Sequence, residues 1–349
     1  MLSETSEIEA ATSTEIVMPR EGGPEVLEVR RRELSDLGPG QVMVRVEAAG
    51  VSFAEVQMLR GRYFGQPRFP FVPGYDLVGI VEGVGEGVDG GLIGQRVATL
   101  TQTGAWADGV ALDASKLAPV PEGLDPADAV AVVTNGVTAW QMLHRAARVQ
   151  PGQTVLVHGA SGGVGTLLVQ LARLVGAEVI GTASASKLEH VRSLGAIPLD
   201  YRSEDVPRRV REISSGGVDA VFDHVGGPGL VDSWRTLRRG GTLVAYGSAS
   251  TLDEPGHWLR PYLPIFGRVL LWNALPNGRR ATFYYVQRWP RLFREDFSTV
   301  LSLLADGKIE ARVARRMPLE SASEALRLVV SGEVSGKVVL VPGLAPVEA

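Results

Sequence analysis

TVLVHGASGGVGTLLVQLARLVGAEVIGTA, residues 154–183, is the stretch on which the fold turns. TVLVHG reads as a short buried strand. Val164–Val175 carries apolar residues at spacings of three and four, as a helix facing a core does. EVIGT reads as the next strand. Gly159, Gly162 and Gly165 fall between the first strand and the helix, where a glycine triplet acquires meaning. Gly162 and Gly163 let the backbone approach a pyrophosphate, and Gly165 lets the helix pack close to the strand. The N–H groups of Ser161, Gly162, Gly163 and Val164 would face an anion at the helix N-terminus. A dinucleotide suits this turn; so would the ligand of another α/β protein, such as a methyltransferase.

The strand–helix rhythm continues downstream. Helices are expected over Lys187–Leu194, Val206–Ser214 and Leu230–Leu237. Between them AIPLD, VDAVFDHVG and GTLVAYG read as strands. Repetition of this kind predicts a doubly wound parallel sheet. Upstream, residues 14–130 alternate like many short strands around glycine turns, which suggests a partly closed barrel. An Ala-rich helix is expected within Pro126–Met142, with a second helix start near Thr134–Gly136. Residues 291–306 and Ala322–Val330 read as helices, and GKVVLVPG closes the chain as a strand. The last 40 or so residues are expected to rejoin the β-rich part. Residues 1–13 read as a disordered tail, acidic and polar, with no secretory pattern.

The strand after the glycine turn ends at Thr182-Ala183-Ser184. An NAD site commonly places an acid here for the ribose 2′-hydroxyl. Ser184, Ser186 and Lys187 stand there instead, with room and donors for a 2′-phosphate, and Tyr201-Arg202 follow the third strand. NADPH is therefore the expected cofactor; a solvated basic patch is the alternative.

Composition excludes several chemistries. Among 349 residues there is no cysteine, so disulfides, thiolate nucleophiles and thiolate metal sites fall away. The five histidines form no HExxH pair, and no metal is expected. Thirty-five basic against 39 acidic residues give a net charge of −4, which offers no strong basic field for nucleic acid. No apolar run reaches the length of a membrane span, so no integral membrane segment and a cytoplasmic location are expected. The 42 glycines, about 12% against the usual ~7%, point to tight turns and close backbone approaches.

VRVEAAGVSFAEVQMLRGRY, PGYDLVGIVEGVGEGV, GQRVATL, NGVTAW, HGASGGVG, DHVGG and GKVVL together carry a resemblance. Over roughly residues 16–342 the chain resembles the medium-chain dehydrogenase/reductase superfamily. Within it, the chain resembles the zinc-free quinone oxidoreductase branch, which includes relatives of vesicle amine transport protein 1. The resemblance implies a GroES-like catalytic domain, 14–134 completed by 308–342, and a Rossmann NADPH-binding domain at 135–307, with the active site between them. It implies that Thr138 sits near the nicotinamide carboxamide and that Gly162, Gly163 and Val164 form the pyrophosphate turn. Lys187 and Tyr201 would lie around the 2′-phosphate, while Val225, Gly247 and Ser248 line the nicotinamide side. Asn135 and Lys337 would be cofactor-edge contacts. Homodimers through cofactor-domain edge strands are usual in the family. One departure stands out: where members commonly show GVNxxD, this chain has Gly50-Val51-Ser52-Phe53-Ala54-Glu55, so a shorter Ser52 hydroxyl replaces an asparagine amide.

The reaction so implied is NADPH-dependent reduction of a quinone or an α,β-unsaturated carbonyl without a metal. Hydride goes to the β carbon, and the oxygen that gains charge needs a donor. Tyr63, in RGRY, is the first candidate and Ser52 a second polar contact; Tyr63 could equally be an aromatic wall, with water delivering the proton. The aromatic segment 255–289 suits an apolar substrate, a subunit contact or a plain core. One alternative is an enoyl-thioester reductase of lipid or polyketide metabolism. Its acyl carrier protein could meet Arg260, Arg268, Arg279 and Arg280. Another is a non-catalytic NADPH-binding structural, sensor or adaptor protein.

Overall fold

The computed structural model describes residues 12–252 and 257–345. Two β-sheets organise them. In the first, six parallel strands lie in the order Ile197–Asp200, Glu178–Ala183, Thr154–Val157, Val218–Asp223, Leu237–Ala245 and Arg280–Phe283. The strand order reverses beside Thr154–Val157. A doubly wound sheet opens a ligand crevice at the C-terminal ends of the strands at such a point. Near-continuous apolar runs build these strands because helices cover both faces. Helix Gly163–Val175 buries Leu167, Leu168 and Leu171 at helical spacing and stops at Gly176, whose φ of 86° suits glycine.

The second sheet runs Val313–Pro318, Lys337–Val341, Gln41–Val51, Asp76–Val84, Arg96–Leu100 and Ala118–Pro119. Gly109–Asp113 also pairs with Gln41–Val51. All pairings are antiparallel except the C-terminal pair. Gln41–Val51 changes partner along its length. Its first half pairs with Gly109–Asp113, and its last residues pair with Lys337–Val341. The chain's C-terminal strands thus complete the β-rich part, leaving the parallel sheet as an α/β insertion in a two-domain α/β fold. A bridge between Gly162 and Gly336 ties the glycine turn to the closing strand.

Two sequence expectations need correction. Thr12 and Ser13 belong to strand Thr12–Val17, not to a tail. Ser13 is buried, its Oγ 2.6 Å from Asp108 Oδ1, a partner 95 residues away that no local pattern announces. The rest of the expected tail, residues 1–11, lies outside the described residues. No helix starts near Thr134–Gly136. Asp125 caps one continuous helix, Pro126–Trp140, by accepting from the N–H groups of Ala127 and Asp128. That helix continues into a π-helical turn, Gln141–Ala147, and runs through residue 134, where the two domains were expected to divide. The aromatic segment contains a helix, Leu263–Ala274, and the edge strand Arg280–Phe283. Tyr262, Ile265 and Trp272 from this segment are buried, and Phe283, Tyr284 and Tyr285 border the cavity described below. Leu263, Leu270 and Leu271 are more than half exposed. No helix among the described residues is long and apolar enough to cross a membrane.

Candidate active site

A cavity of about 980 Å³ lies between the two sheets and joins the glycine turn to a cluster of tyrosines. Its floor is backbone. Gly159, with φ 65°, turns the chain out of the first strand, and helix Gly163–Val175 starts at once. A Cβ on Gly165 would stand 2.1 Å from Gly159 O, so the strand and helix approach only through glycine. A Cβ on Gly163 would meet Asn135 Nδ2 at 2.4 Å. The first N–H groups of the helix have no partner within it and open onto the cavity, where they fit a phosphate.

Ser184, Lys187, Tyr201 and Arg202 border the far end of this floor. Lys187 does more than project a charge. Its Nζ donates to Gly332 O and, at 2.8 Å, to Val334 O, anchoring the loop before the closing strand. Burial, with Arg202 nearby, holds its pKa below the ordinary lysine value.

The middle of the cavity is set by Asp223. Its Oδ1 accepts from the N–H groups of Val225 and Gly226, and its Oδ2 from Ser233 Oγ at 2.6 Å. Ser233 also meets His158 Nε2 at 3.0 Å. Asn135, Thr138, Val225 and Gly247 border the same space. His224 does too, and burial lowers its pKa, which favours the neutral ring. Ser248 stands between Gly247 and Ala249, which border the space. It is buried, and its hydroxyl bonds the phenol of Tyr262, which borders the cavity.

The substrate end combines two clusters. Lys337, almost fully buried, donates from Nζ to Ser52 Oγ at 2.6 Å and pairs with Asp76 Oδ2 at 3.3 Å. Asp76 Oδ2 also accepts from Thr134 N, and Glu55 Oε2 accepts from Ser52 N at 2.8 Å. Burial pushes the Glu55 carboxyl up to about 7; Lys337 opposes the shift and Asp76 adds to it. Glu55 Oε1 and Asp76 Oδ1 have no hydrogen-bond partner among the described residues. One ammonium thus lies in the field of two buried carboxyls and bonds one of them, and its other bonded partner, Ser52, borders the cavity. The second cluster is phenolic. Tyr63 Oη and Tyr75 Oη lie 2.5 Å apart, and Gln102 Nε2 donates to Tyr285 Oη at 2.6 Å.

The structure therefore brings Ser52, Tyr63, Asn135, Thr138, Ser161, Gly162, Gly163, Val164, Thr182, Ser184, Lys187, Tyr201, Val225, Gly247 and Lys337 to one cavity. Sequence reasoning missed Tyr75, Asp76 and Tyr285 as site residues. The PGYD motif holds the first two; an acid opening the apolar run DLVGIV was the available signal. Arg279 and Arg280 border a separate concavity with Arg145, Arg148 and Arg288, while Arg268 donates instead to Gly227 O. Among the described residues no group of three or more His, Cys, Asp or Glu could hold a metal ion, so the donor set does not fit a zinc.

Two family models match, described as "Alcohol dehydrogenase GroES-like domain" over residues 38–122 and "Zinc-binding dehydrogenase" over 194–340. The chain is 35% identical over 314 residues to the synaptic vesicle membrane protein VAT-1 homolog of Rattus norvegicus, covering 88% of this chain and 78% of that one. It is 33% identical over 336 residues to the 2-haloacrylate reductase of a Burkholderia species, covering 93% and 98%. The quinone oxidoreductase of Escherichia coli, solved in complex with NADPH, superposes with a TM-score of 0.84 at 29% identity, covering 95% of this chain and 100% of that one. The chain belongs to the medium-chain dehydrogenase/reductase superfamily, in the zinc-independent oxidoreductase branch related to quinone oxidoreductases and VAT-1 homologues.

Proposed function

We propose that this protein is an NADPH-dependent, metal-independent reductase of quinones or α,β-unsaturated carbonyls. The observation that carries this reading is one cavity with a phosphate-binding glycine turn at one end and neutral hydroxyl donors at the other. The relatives named for quinones and for 2-haloacrylate support the substrate class, and the NADPH-bound relative supports the cofactor. When bound, NADPH supplies hydride from nicotinamide C4 to the electrophilic carbon.

The residues of this chain bind and orient. The N–H groups of Ser161, Gly163 and Val164 hold the pyrophosphate, the Gly162 N–H being taken by Gly159 O at 2.9 Å, and Ser184, Lys187 and Tyr201 flank the 2′-phosphate, near Thr182. Asn135, Thr138, Val225 and Gly247 frame the nicotinamide. Lys337 fixes the Ser52 hydroxyl, which contacts the ribose or the substrate, and Tyr63 donates to the substrate oxygen. The domain division stays as proposed, 14–134 with 308–342 around 135–307, with the Pro126–Trp140 helix crossing its first boundary. A cytoplasmic homodimer fits the exposed leucines of Leu263–Ala274, which lie beside the edge strand Arg280–Phe283. An acyl carrier protein would be the partner only if the substrate is a thioester.

The test is NADPH oxidation by chelator-treated protein against quinones, enones, enoyl thioesters and primary alcohols. Turnover of enones or quinones is expected, and little with alcohols. Activity that disappears on chelation and returns only with zinc would overturn the reading, as would cofactor binding without turnover of any acceptor.

A further inference from the structure

The aromatic end of the cavity holds more donors than a single Tyr63. Tyr63, Tyr75 and Tyr285 come from three separate segments and border the same space. The Tyr63 and Tyr75 rings meet edge-on, centroids 6.0 Å apart, and Tyr285 faces Tyr63 at 6.5 Å. Behind them sits Gln102, with φ 68°, one of two non-glycine residues with positive φ among the described residues. A glutamine held there costs on the order of 1–2 kcal/mol. Such strain persists where the surroundings impose it and often marks a functional site. Here the turn does two things. The N–H groups of Thr101 and Gln102 donate to Tyr75 O at 2.9 and 3.3 Å, and the Gln102 amide donates to Tyr285 Oη.

We propose that Tyr75 and Tyr285, together with Tyr63, form a two-donor site for the oxygen of a conjugated carbonyl, and that Gln102 is the positioning residue that orients it. The proposal rests on the reductase reading and names the residues that stabilise its developing charge. The hydrogens can be counted. Three phenols carry three O–H hydrogens, and the bond between Tyr63 and Tyr75 uses one. Tyr285 accepts from Gln102 and lies within hydrogen-bonding reach of Tyr63 and Tyr75. Its own hydrogen and the one the Tyr63–Tyr75 bond leaves over can both rotate from their phenolic neighbours toward a ligand oxygen.

Burial raises the Tyr63 and Tyr75 phenols well above the ordinary tyrosine value; Tyr285 adds to both shifts, while the bond to Tyr63 opposes the one at Tyr75. Both therefore stay protonated as donors. Hydride addition at the β carbon moves the C=C electron pair toward the carbonyl oxygen, leaving an enolate. The two phenolic hydrogens bond to that oxygen, and water then protonates the α carbon. No phenol need ionise.

The probe is 4-nitrophenol, whose phenolate mimics the enolate oxygen and whose ionisation is read by visible absorbance. It is titrated into full-length protein saturated with NADP+, alongside kcat and KM for an enone and the NADPH affinity. The wild type is expected to bind it as phenolate with a lowered apparent pKa. Tyr75→Phe and Tyr285→Phe should each weaken phenolate binding about tenfold or more and lower kcat at least as much, with NADPH affinity kept. Gln102→Gly removes both amide and strain. It should melt no lower than wild type yet lose phenolate binding and kcat, a pairing that a purely structural glutamine would not give. Variants that bind the phenolate and turn over enone like wild type would overturn the proposal. If the wild type reduces no acceptor but binds phenolate through these tyrosines, the donor site stands and the reductase reading falls.

Discussion

The two ends of the cavity are built from different materials. At the cofactor end the working surface is main chain, with glycines where a side chain would collide and N–H groups that a helix start leaves free. At the substrate end it is side chain: three phenols, one ammonium and two carboxyls drawn from segments up to 285 residues apart. A backbone cradle depends on chain shape and so appears as a short local motif. A side-chain chamber depends on the whole fold, and its chemistry appears only once distant segments meet. Substitution should separate the two materials cleanly, by geometry at one end and by charge at the other.

The sharpest break is at Gly165. The colliding atoms in Gly165→Ala are backbone, Gly159 O at 2.1 Å and Ala160 Cα at 2.8 Å, so neither can rotate away. The strand and helix must part, at a cost of about 3 kcal/mol. NADPH affinity is expected to fall roughly a hundredfold, with a lower melting temperature. Gly162→Ala is the control for the fold, since its Cβ would sit 3.3 Å from Gly159 O and need only a small shift, so its melting temperature should stay near wild type even where its Cβ crowds the pyrophosphate. Thermal melts of both variants check this; equal drops in melting temperature would mean that the turn is not held by close packing.

The second break is electrostatic and belongs to the substrate end. Glu55 has a pKa of about 7 in the folded protein against an ordinary 4.5. The folded state therefore keeps a proton that the unfolded chain releases. Its stabilising contribution is complete below about 4.5 and is lost as pH rises through 7. Glu55→Gln cannot titrate and its amide oxygen can still accept from Ser52 N. Relative to wild type, it should gain about 3 kcal/mol between pH 4.5 and 8. Lys337 and Asp76 face the same carboxyl and are present in both proteins, so the difference isolates Glu55. Urea melts at the two pH values decide, and a constant difference would place the Glu55 pKa near its ordinary value.

This contrast also explains what the sequence made legible. Strand, glycine turn and helix at 154–175 emerge close to where apolar period and turn chemistry put them. The parallel sheet and the return of the C-terminal strands were legible for the same reason. Tyr75 and Asp76 stood in view in PGYD, yet their partners, Tyr63 and Lys337, are 12 and 261 residues away. Gln102 carried no signal at all: its left-handed backbone is a property of the folded turn, and glutamine is not a residue that advertises one. The Pro126–Trp140 helix was split in the reading because Thr134-Asn135-Gly136 resembles a break, but tertiary packing overrides weak local propensity.

The smallest expected effect lies at the seam between the two materials, where a side chain serves the cofactor end. An ammonium has three donors. Lys187 spends two on Gly332 O and Val334 O, so one remains for a ligand beside Ser184 and Tyr201. That limits its share of 2′-phosphate binding. Lys187→Glu removes the anchor of the 332–334 loop and sets a carboxylate where the phosphate would lie. The lost anchor weakens NADPH and NADH alike and cancels in their ratio. What survives in the ratio is repulsion of the phosphate, screened by solvent at this half-exposed site, and about tenfold is the expected fall in NADPH preference, ~1.4 kcal/mol. Lys187→Met, which loses the anchor without adding charge, should move the ratio less than the glutamate does. If both substitutions leave the ratio unchanged, Lys187 is a structural clasp and the 2′-phosphate is read by Ser184, Tyr201 and Arg202 alone.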